Sequence, residues 1–319
     1  MASFRDTRAM VEGAFIAGIT AVLGLLGMFI PPFFLVISII IPIPLAVLVR
    51  RRDLRVGVMS LVVSGFLMMV LYPDPLRVLV MFIQFGPLGL VLGLLYKNYV
   101  SSGHALVAAS LVSVIASITV IILSVLFTGL SLELIQGTMN ETMERAFQMY
   151  EDAGHPVPMD QQQLFRDSIK GAIFLLPGMY VLSALFSTAL TYIVGGKVLV
   201  RMNYKVNSLP PFSKWRMPWY AIWGIILGLI FLLAGNHYEI RALNLVGQNL
   251  LMLFMVAFFV TGLSVLAYYY KIVPFSKPFK FVLILVVVLY IGFMYLGIIM
   301  LGLFDAVFNI RRPLPTKEK

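Results

Sequence analysis

Residues 13–55 read GAFIAGITAVLGLLGMFI PPFFLVISIIIPIPLAVLVR RRDLR, and this stretch decides the fold. From Gly13 to Ile30 no charged side chain occurs. A helix that crosses about 30 Å of hydrocarbon needs roughly 20 such residues, fewer where the bilayer thins. Pro31 and Pro32 have no N–H to donate and end that helix. The apolar run resumes at Phe33 and stops at Val49, against Arg50, Arg51, Arg52 and Arg55. Two crossings closed by a basic cluster are therefore expected. Pro42 and Pro44 predict that the second is kinked or shorter than it looks. The first run lacks a small-residue cleavage site and leads straight into the proline pair, so it is not a removable signal.

The same pattern continues along the chain. The expected spans are Gly13–Ile30, Phe33–Val49, Val56–Leu71, Leu76–Tyr96, Ala105–Leu130, Gly171–Val194, Trp219–Ala234, Leu245–Tyr270 and Phe281–Phe304. Composition agrees: 61% of the 319 residues are hydrophobic and 12% are charged. Soluble domains carry about a quarter charged residues and could not cover their surface with so few. The fold class is thus all-α, a polytopic transmembrane helix bundle of about nine spans, with eight as the alternative. The absence of cysteine excludes disulfides, thiol chemistry and cysteine metal sites.

The net charge of +10 is read by position rather than as a sign of nucleic-acid binding. Lysine and arginine in short loops mark the cytoplasmic side. With the N-terminus inside, that face collects 15 basic residues and three acids, Asp6, Glu12 and Asp53, leaving nine basic residues and 11 acids outside. Trp215, Trp219, Tyr220 and Trp223 gather at one inner boundary, where aromatic rings prefer the headgroup level. Nine crossings leave Arg311, Arg312, Lys317 and Lys319 outside, against the rule. Either one span does not cross, or the tail is an exception.

One long extramembrane segment stands out, Ser131 to Lys170, on the expected outer side. Leu132, Ile135, Met139, Met143, Ala146 and Tyr150 recur at helical spacing, with Glu133, Glu141, Glu144 and Glu151 around them. Gly154-His155-Pro156 breaks this helix, and a second one, capped near Asp160 with Gln163, runs on into the sixth span. An amphipathic hairpin over 131–168 follows, either resting at the bilayer surface or acting as a lid. The inner connector 196–218 carries five basic residues and no acid, as expected of a loop facing anionic headgroups.

Enzymatic signatures are missing. His104, His155 and His237 form no i, i+4 ligand pair, no G-x-S-x-G elbow occurs, and no phosphate-binding loop is present. The chain is expected not to be an enzyme and to hold neither metal nor cofactor. Gln84, Asp74, Arg77, His237, Asn244, Gln248 and Asn249 all fall toward the outer side and are the candidate ligand-binding residues. The alternative is that the loop residues are solvated and the amides bond between helices. Ala14, Ala17, Gly18 and Ala21 form a small-residue face on the first span, suited to packing or to docking of an outside helix. Gly89/Gly93 and Gly224/Gly228 offer two more such faces.

The chain resembles the YybS-like family of bacterial multi-pass membrane proteins, whose function is uncharacterised. The resemblance rests on Glu12-Gly13-Ala14-Phe15, Ile43-Pro44-Leu45-Ala46, Phe85-Gly86-Pro87-Leu88-Gly89 through Gly93, and Phe304-Asp305 with Arg311-Arg312. Its first six spans are also similar to the substrate-binding S components of energy-coupling-factor transporters. That likeness implies a six-helix bundle with an outward pocket, and Ala17-x-x-x-Ala21 matches the face that docks a coupling subunit. Three further spans depart from that plan. The expected division is a bundle over 1–195, the connector 196–218, and three spans with a tail over 219–319. The expected role is binding or transport of a small amphipathic or apolar molecule in a bacterial cell membrane, with lipids and a membrane partner as contacts. A scaffold that docks other proteins is the alternative.

Overall fold

The computed structural model describes residues 2–129 and 131–311, all helical or loop, with no strand among them. The α-helices in chain order are α1 Ala2–Phe29, α2 Phe34–Ile40, α3 Pro42–Arg51, α4 Leu54–Leu71, α5 Pro75–Lys97, α6 Ser102–Thr128, α7 Leu132–Asp152, α8 Met159–Arg201, α9 Ile222–His237, α10 Arg241–Ile272, α11 Lys277–Leu289 and α12 Ile291–Phe308. Among the described residues nine helical segments are long and apolar enough to cross a membrane. Eight follow the spans expected from sequence. The ninth is Ile291–Phe308, because the run Phe281–Phe304 is broken at Tyr290 into α11 and α12. Contacts group the chain into two compact units, one running up to Ser131 and including Tyr180–Leu209, the other holding Leu132–Met179 and the chain from Pro210. The hairpin therefore groups with the later spans.

In the first unit α3 is central, with Leu45, Ala46, Leu48 and Val49 no more than 1% exposed. Lipid tails are as apolar as leucine, so close packing rather than escape from water holds such a helix. Glycine permits it: a β-carbon at Gly93 would lie 2.5 Å from Val49 Cβ, and one at Gly89 would lie 2.7 Å from the Pro42 carbonyl oxygen. The second span is kinked as Pro42 predicts, ending α2 at Ile40 and starting α3 at Pro42. Without an N–H on Pro42, the Ser38 carbonyl loses its helical donor. The Ser187 hydroxyl of α8 donates to it at 3.2 Å, and Thr191 Oγ1 donates to the next carbonyl, Ile39, at 2.8 Å. Hydroxyls on a neighbouring helix thus restore what the proline removes.

At the basic end of this unit Glu12 receives both arms of Arg52, at 2.6 and 2.8 Å, with Arg51 and Arg8 farther off. Lys97 Nζ bridges the Asp53 carboxylate and the Arg52 carbonyl, both at 2.6 Å. That ammonium holds the Asp53 carboxyl below its ordinary range, and the hydrogen bond to Glu12 raises Arg52. The Arg50 guanidinium lies over the Tyr99 and Tyr204 rings, at 5.1 and 4.9 Å. The connector is more fixed than a solvated loop: Asn207 donates to the Tyr99 and Val100 carbonyls and accepts from the Tyr192 hydroxyl.

In the second unit the hairpin closes where expected, at Gly154 with φ +79°, a left-handed turn that favours glycine. Arg166 pairs with Glu144 at 3.2 Å, and the Phe147 and Phe165 rings lie 6.4 Å apart, so α7 packs back on the start of α8. The contacting face centres on Met143 and Phe147. Met139, Ala146 and Tyr150 of the expected stripe stay exposed, and the Leu132 side chain is outside the described residues. Asp160 sits inside the first turn of α8, two residues later than the cap position at Pro158. At 43 residues α8 is about 65 Å long, so span and hairpin arm are one helix, as the sequence predicted.

Helices α9 and α10 are antiparallel, with Gly224 under Phe254, Gly228 beside Leu251 and Gly235 against Asn244. By contrast α12 runs parallel to α10. The contacts advance together: Tyr295 with Phe259, Gly302 with Gly262, Arg311 with Ser264, and the Ile310 carbonyl with the Tyr269 hydroxyl. Parallel neighbours require the chain to recross between them, and the 13-residue apolar α11, about 20 Å long, makes that return.

Candidate functional site

The kinked second span leaves space beside it. A cavity of about 870 Å³ lies in the first unit, bounded by α2, the α4–α5 turn, α5, the end of α6 and the second half of α8. Three of the seven sequence candidates line it: Asp74, Arg77 and Gln84. Asp74 and Arg77 form its rim. Asp74 Oδ1 caps α5 through the Leu76 and Arg77 amides, and Oδ2 pairs with Arg77 Nε at 3.2 Å. Arg77 also donates to the Tyr72 hydroxyl at 3.3 Å. The rim is thus charged but internally neutral.

Gln84 lies ten residues along α5 from Asp74, about 15 Å deeper and near the middle of a 30 Å hydrocarbon layer. It is 7% exposed and fixed at both ends of its amide. Nε2 donates to Ser117 Oγ at 3.1 Å, and Oε1 accepts from the Tyr180 hydroxyl at 3.1 Å. Tyr180, Ser38, Ser183 and Ser187 join it in the wall. Phe34, Leu35, Met81 and Phe85 supply apolar surface between. A site of this size, mostly apolar with a few placed polar groups, has the makeup of small-molecule pockets. Sequence reading did not single out the serines or Tyr180. The signal was there, since Ser183 and Ser187 recur at i, i+4 on one face of an otherwise apolar span.

The other four candidates belong to the second unit and do not line this cavity. Asn244, Gln248 and Asn236 form a ladder of amides: Gln248 Nε2 donates to Asn244 Oδ1 at 2.5 Å, and Asn244 Nδ2 donates to Asn236 Oδ1. His237 stacks edge-on with Tyr238. Asn249 has a backbone role. Its Nδ2 donates to the Phe174 and Leu245 carbonyls and its Oδ1 accepts from the Gly178 N–H, all at 2.7 Å. Gly178 and Phe174 are the i, i−4 pair directly after Pro177, so the amide bridges the helix where the proline disturbs it. Asn249 thus makes the bonds between helices that the packing reading expects.

The small-residue face of α1 divides as well. Ala17 and Ala21 are buried within the chain, at 0% and 3% exposure, and are not free to dock an outside helix. Ala14 is exposed and Gly18 has nothing within 4 Å of a β-carbon position.

The most enclosed charge in the described chain lies elsewhere. Arg311 and Asp305 have side chains 0% and 1% exposed, joined at 2.6 Å. Arg311 also donates to the Ser213 carbonyl, Ser264 Oγ and the Trp215 carbonyl, and its own carbonyl accepts from Arg216. This knot fixes the end of α12 to the connector and to α10. Among the described residues no three histidine, aspartate or glutamate side chains gather as metal ligands.

Comparison with known proteins agrees on the class. No solved structure matches the chain significantly, so the likeness to S components has no structural counterpart. The uncharacterized protein YybS of Bacillus subtilis (strain 168) is 22% identical over 311 residues, covering 96% of this chain and 98% of that one. The family model described as "Predicted membrane protein (DUF2232)" matches residues 18–306, which is most of the chain. The chain belongs to that family of multi-pass membrane proteins.

Proposed function

We propose that this integral membrane protein binds a small amphipathic or apolar molecule in the cavity of its first unit. It acts as a binding or transport component rather than an enzyme. One observation carries the reading: a cavity of about 870 Å³ that reaches from a neutral ion-paired rim to the depth of Gln84. The basic residues of the Arg50–Arg55 cluster and Lys97 favour a cytoplasmic N-terminus. The Asp74 rim then faces outward, in the manner of the S components that the sequence resembles. Any ATP-driven step is assigned to separate subunits, because the chain carries no phosphate-binding loop.

The test is native mass spectrometry of the protein extracted in its own lipids, beside Ala184→Trp. Ala184 is a wall residue 8% exposed, and an indole there fills the space. Wild type is expected to carry one small molecule that the folded variant has lost. Wild type with no bound molecule, or a folded variant that retains it, defeats the proposal. If crosslinking in cells then recovers one stoichiometric membrane partner, the scaffold reading takes its place.

A further inference from the structure

Hydrogen-bond accounting in the cavity wall narrows the ligand class, given the binding role proposed above. Two polar wall residues, Ser124 and Thr128, lie about 10 Å or more farther along α6 from the Gln84 partner Ser117, toward the end of that helix. Around Gln84 the polar wall residues are Ser38, Gln84, Tyr180, Ser183 and Ser187, and none carries a charge at neutral pH. Each hydroxyl proton among them is already spent. Ser38 donates to the Leu35 carbonyl at 2.8 Å, Ser183 to the Tyr180 carbonyl at 2.7 Å, and Ser187 to the Ser38 carbonyl at 3.2 Å. Tyr180 donates to Gln84 Oε1, and one Gln84 amide proton goes to Ser117. A hydroxyl oxygen that donates its proton still holds lone pairs, and an amide oxygen accepts twice. Around Gln84 the wall therefore offers five oxygens able to accept, against one free proton on Gln84 Nε2.

We infer that the cavity selects a neutral molecule whose polar end is a hydrogen-bond donor, an alcohol or an amide N–H on an apolar body. An ether, ketone or ester would find a single proton, on Gln84 Nε2, and otherwise face lone pairs with lone pairs. A carboxylate or ammonium would sit about 15 Å below the Asp74–Arg77 rim with no counter-charge in the wall, where uncompensated charge is costly. The donor end lies at Gln84 and Tyr180, and the body lies along Phe34, Met81 and Phe85.

The experiment uses the full chain in lipid nanodiscs and three probes on one alkyl-diazirine chain: dodecan-1-ol, its methyl ether and dodecanoic acid. Photolabelling is read by peptide mapping of α5 and of α8 from Tyr180. The alcohol is expected to label the cavity about tenfold more than the ether, the factor that one hydrogen bond supplies. Ser183→Ala and Gln84→Leu, checked for folding by thermal melting, are expected to move that ratio toward one. Equal labelling by alcohol and ether, or best labelling by the acid, overturns the donor assignment while leaving the binding role standing. If no probe labels the cavity, both fall. A ratio unchanged in Gln84→Leu and Ser183→Ala also overturns the assignment.

Discussion

Arg311→Met probes the most deeply buried ion pair among the described residues of the second unit. Wild-type Arg311 gives Nε to both Asp305 oxygens at 3.1 Å and Nη2 to Oδ2 at 2.6 Å, while Nη1 serves the Ser213 carbonyl at 2.9 Å and Ser264 Oγ at 2.8 Å. Methionine keeps much of the volume but leaves Asp305 enclosed with no cation and takes a donor from Ser213. The Trp215 carbonyl retains Ser264 Oγ at 2.9 Å. Removing one partner of a buried pair costs about 3–5 kcal/mol, whereas replacing both with apolar groups is often close to neutral. Arg311→Met with Asp305→Leu should therefore be more stable than Arg311→Met alone, despite carrying one more substitution. The residual loss should be about 1–3 kcal/mol for the Ser213 carbonyl. Thermal unfolding in micelles, followed by tryptophan fluorescence, reads both. At roughly 2 °C per kcal/mol the single variant drops by about 6–10 °C and the double by about 2–6 °C. A single variant within about 1 °C of wild type refutes the reasoning, as does a double variant no better than the single.

Three further outcomes are expected. Asn249→Leu should cost about 2 kcal/mol from three lost bonds near the membrane average. Adding Pro177→Ala should recover most of it in an unfolding assay, because Gly178 and Phe174 can then pair directly. Gly302→Ala should lower the melting temperature, since its β-carbon would lie 2.1 Å from the Phe258 carbonyl oxygen, whereas Gly18→Ala, with nothing within 4 Å, should not. The folded state holds Asp53 below its unfolded range, so the Lys97 contact stabilises above the ordinary carboxylate pKa and is lost as pH falls through the lowered one. Melting curves taken below about pH 4 should therefore fall less steeply in Asp53→Asn than in wild type.

Much of the fold was legible because hydrocarbon imposes it: long apolar runs, the Pro31-Pro32 stop and the basic cluster at Arg50 have one common explanation. The break at Tyr290 was not legible. Residues 281–304 are apolar throughout, and Tyr290, at φ −104° and ψ 17°, carries no proline or turn signature. The polar candidates were half legible. Polarity inside a span marks a group that needs a partner, but it does not say whether that partner is a ligand or a backbone. Asn249 and Ser187 are both answered by carbonyls near a proline, at Pro177 and Pro42, as the sequence distance between them conceals. Gln84 is different, since side chains satisfy it at the cavity wall and one amide proton stays free.

The anomaly of a basic residue on the wrong side dissolves at Arg311 for two separate reasons. Parallel packing of α10 and α12 means that α9 to α12 carry the chain across and back twice, so Arg311 returns to the level of Ser213 and Trp215 in the connector. Alternation over nine long spans missed this because the third of these four crossings is α11, too short to count among them. Independently, the positive-inside bias acts through loop charges near the ends of spans. A guanidinium that is 0% exposed and neutralised by Asp305 exerts no such bias. Arg312, Lys317 and Lys319 lie outside the described residues. For Arg311 the geometry suffices: if the five basic residues of the connector face the cytoplasm, it lies on the cytoplasmic side with them.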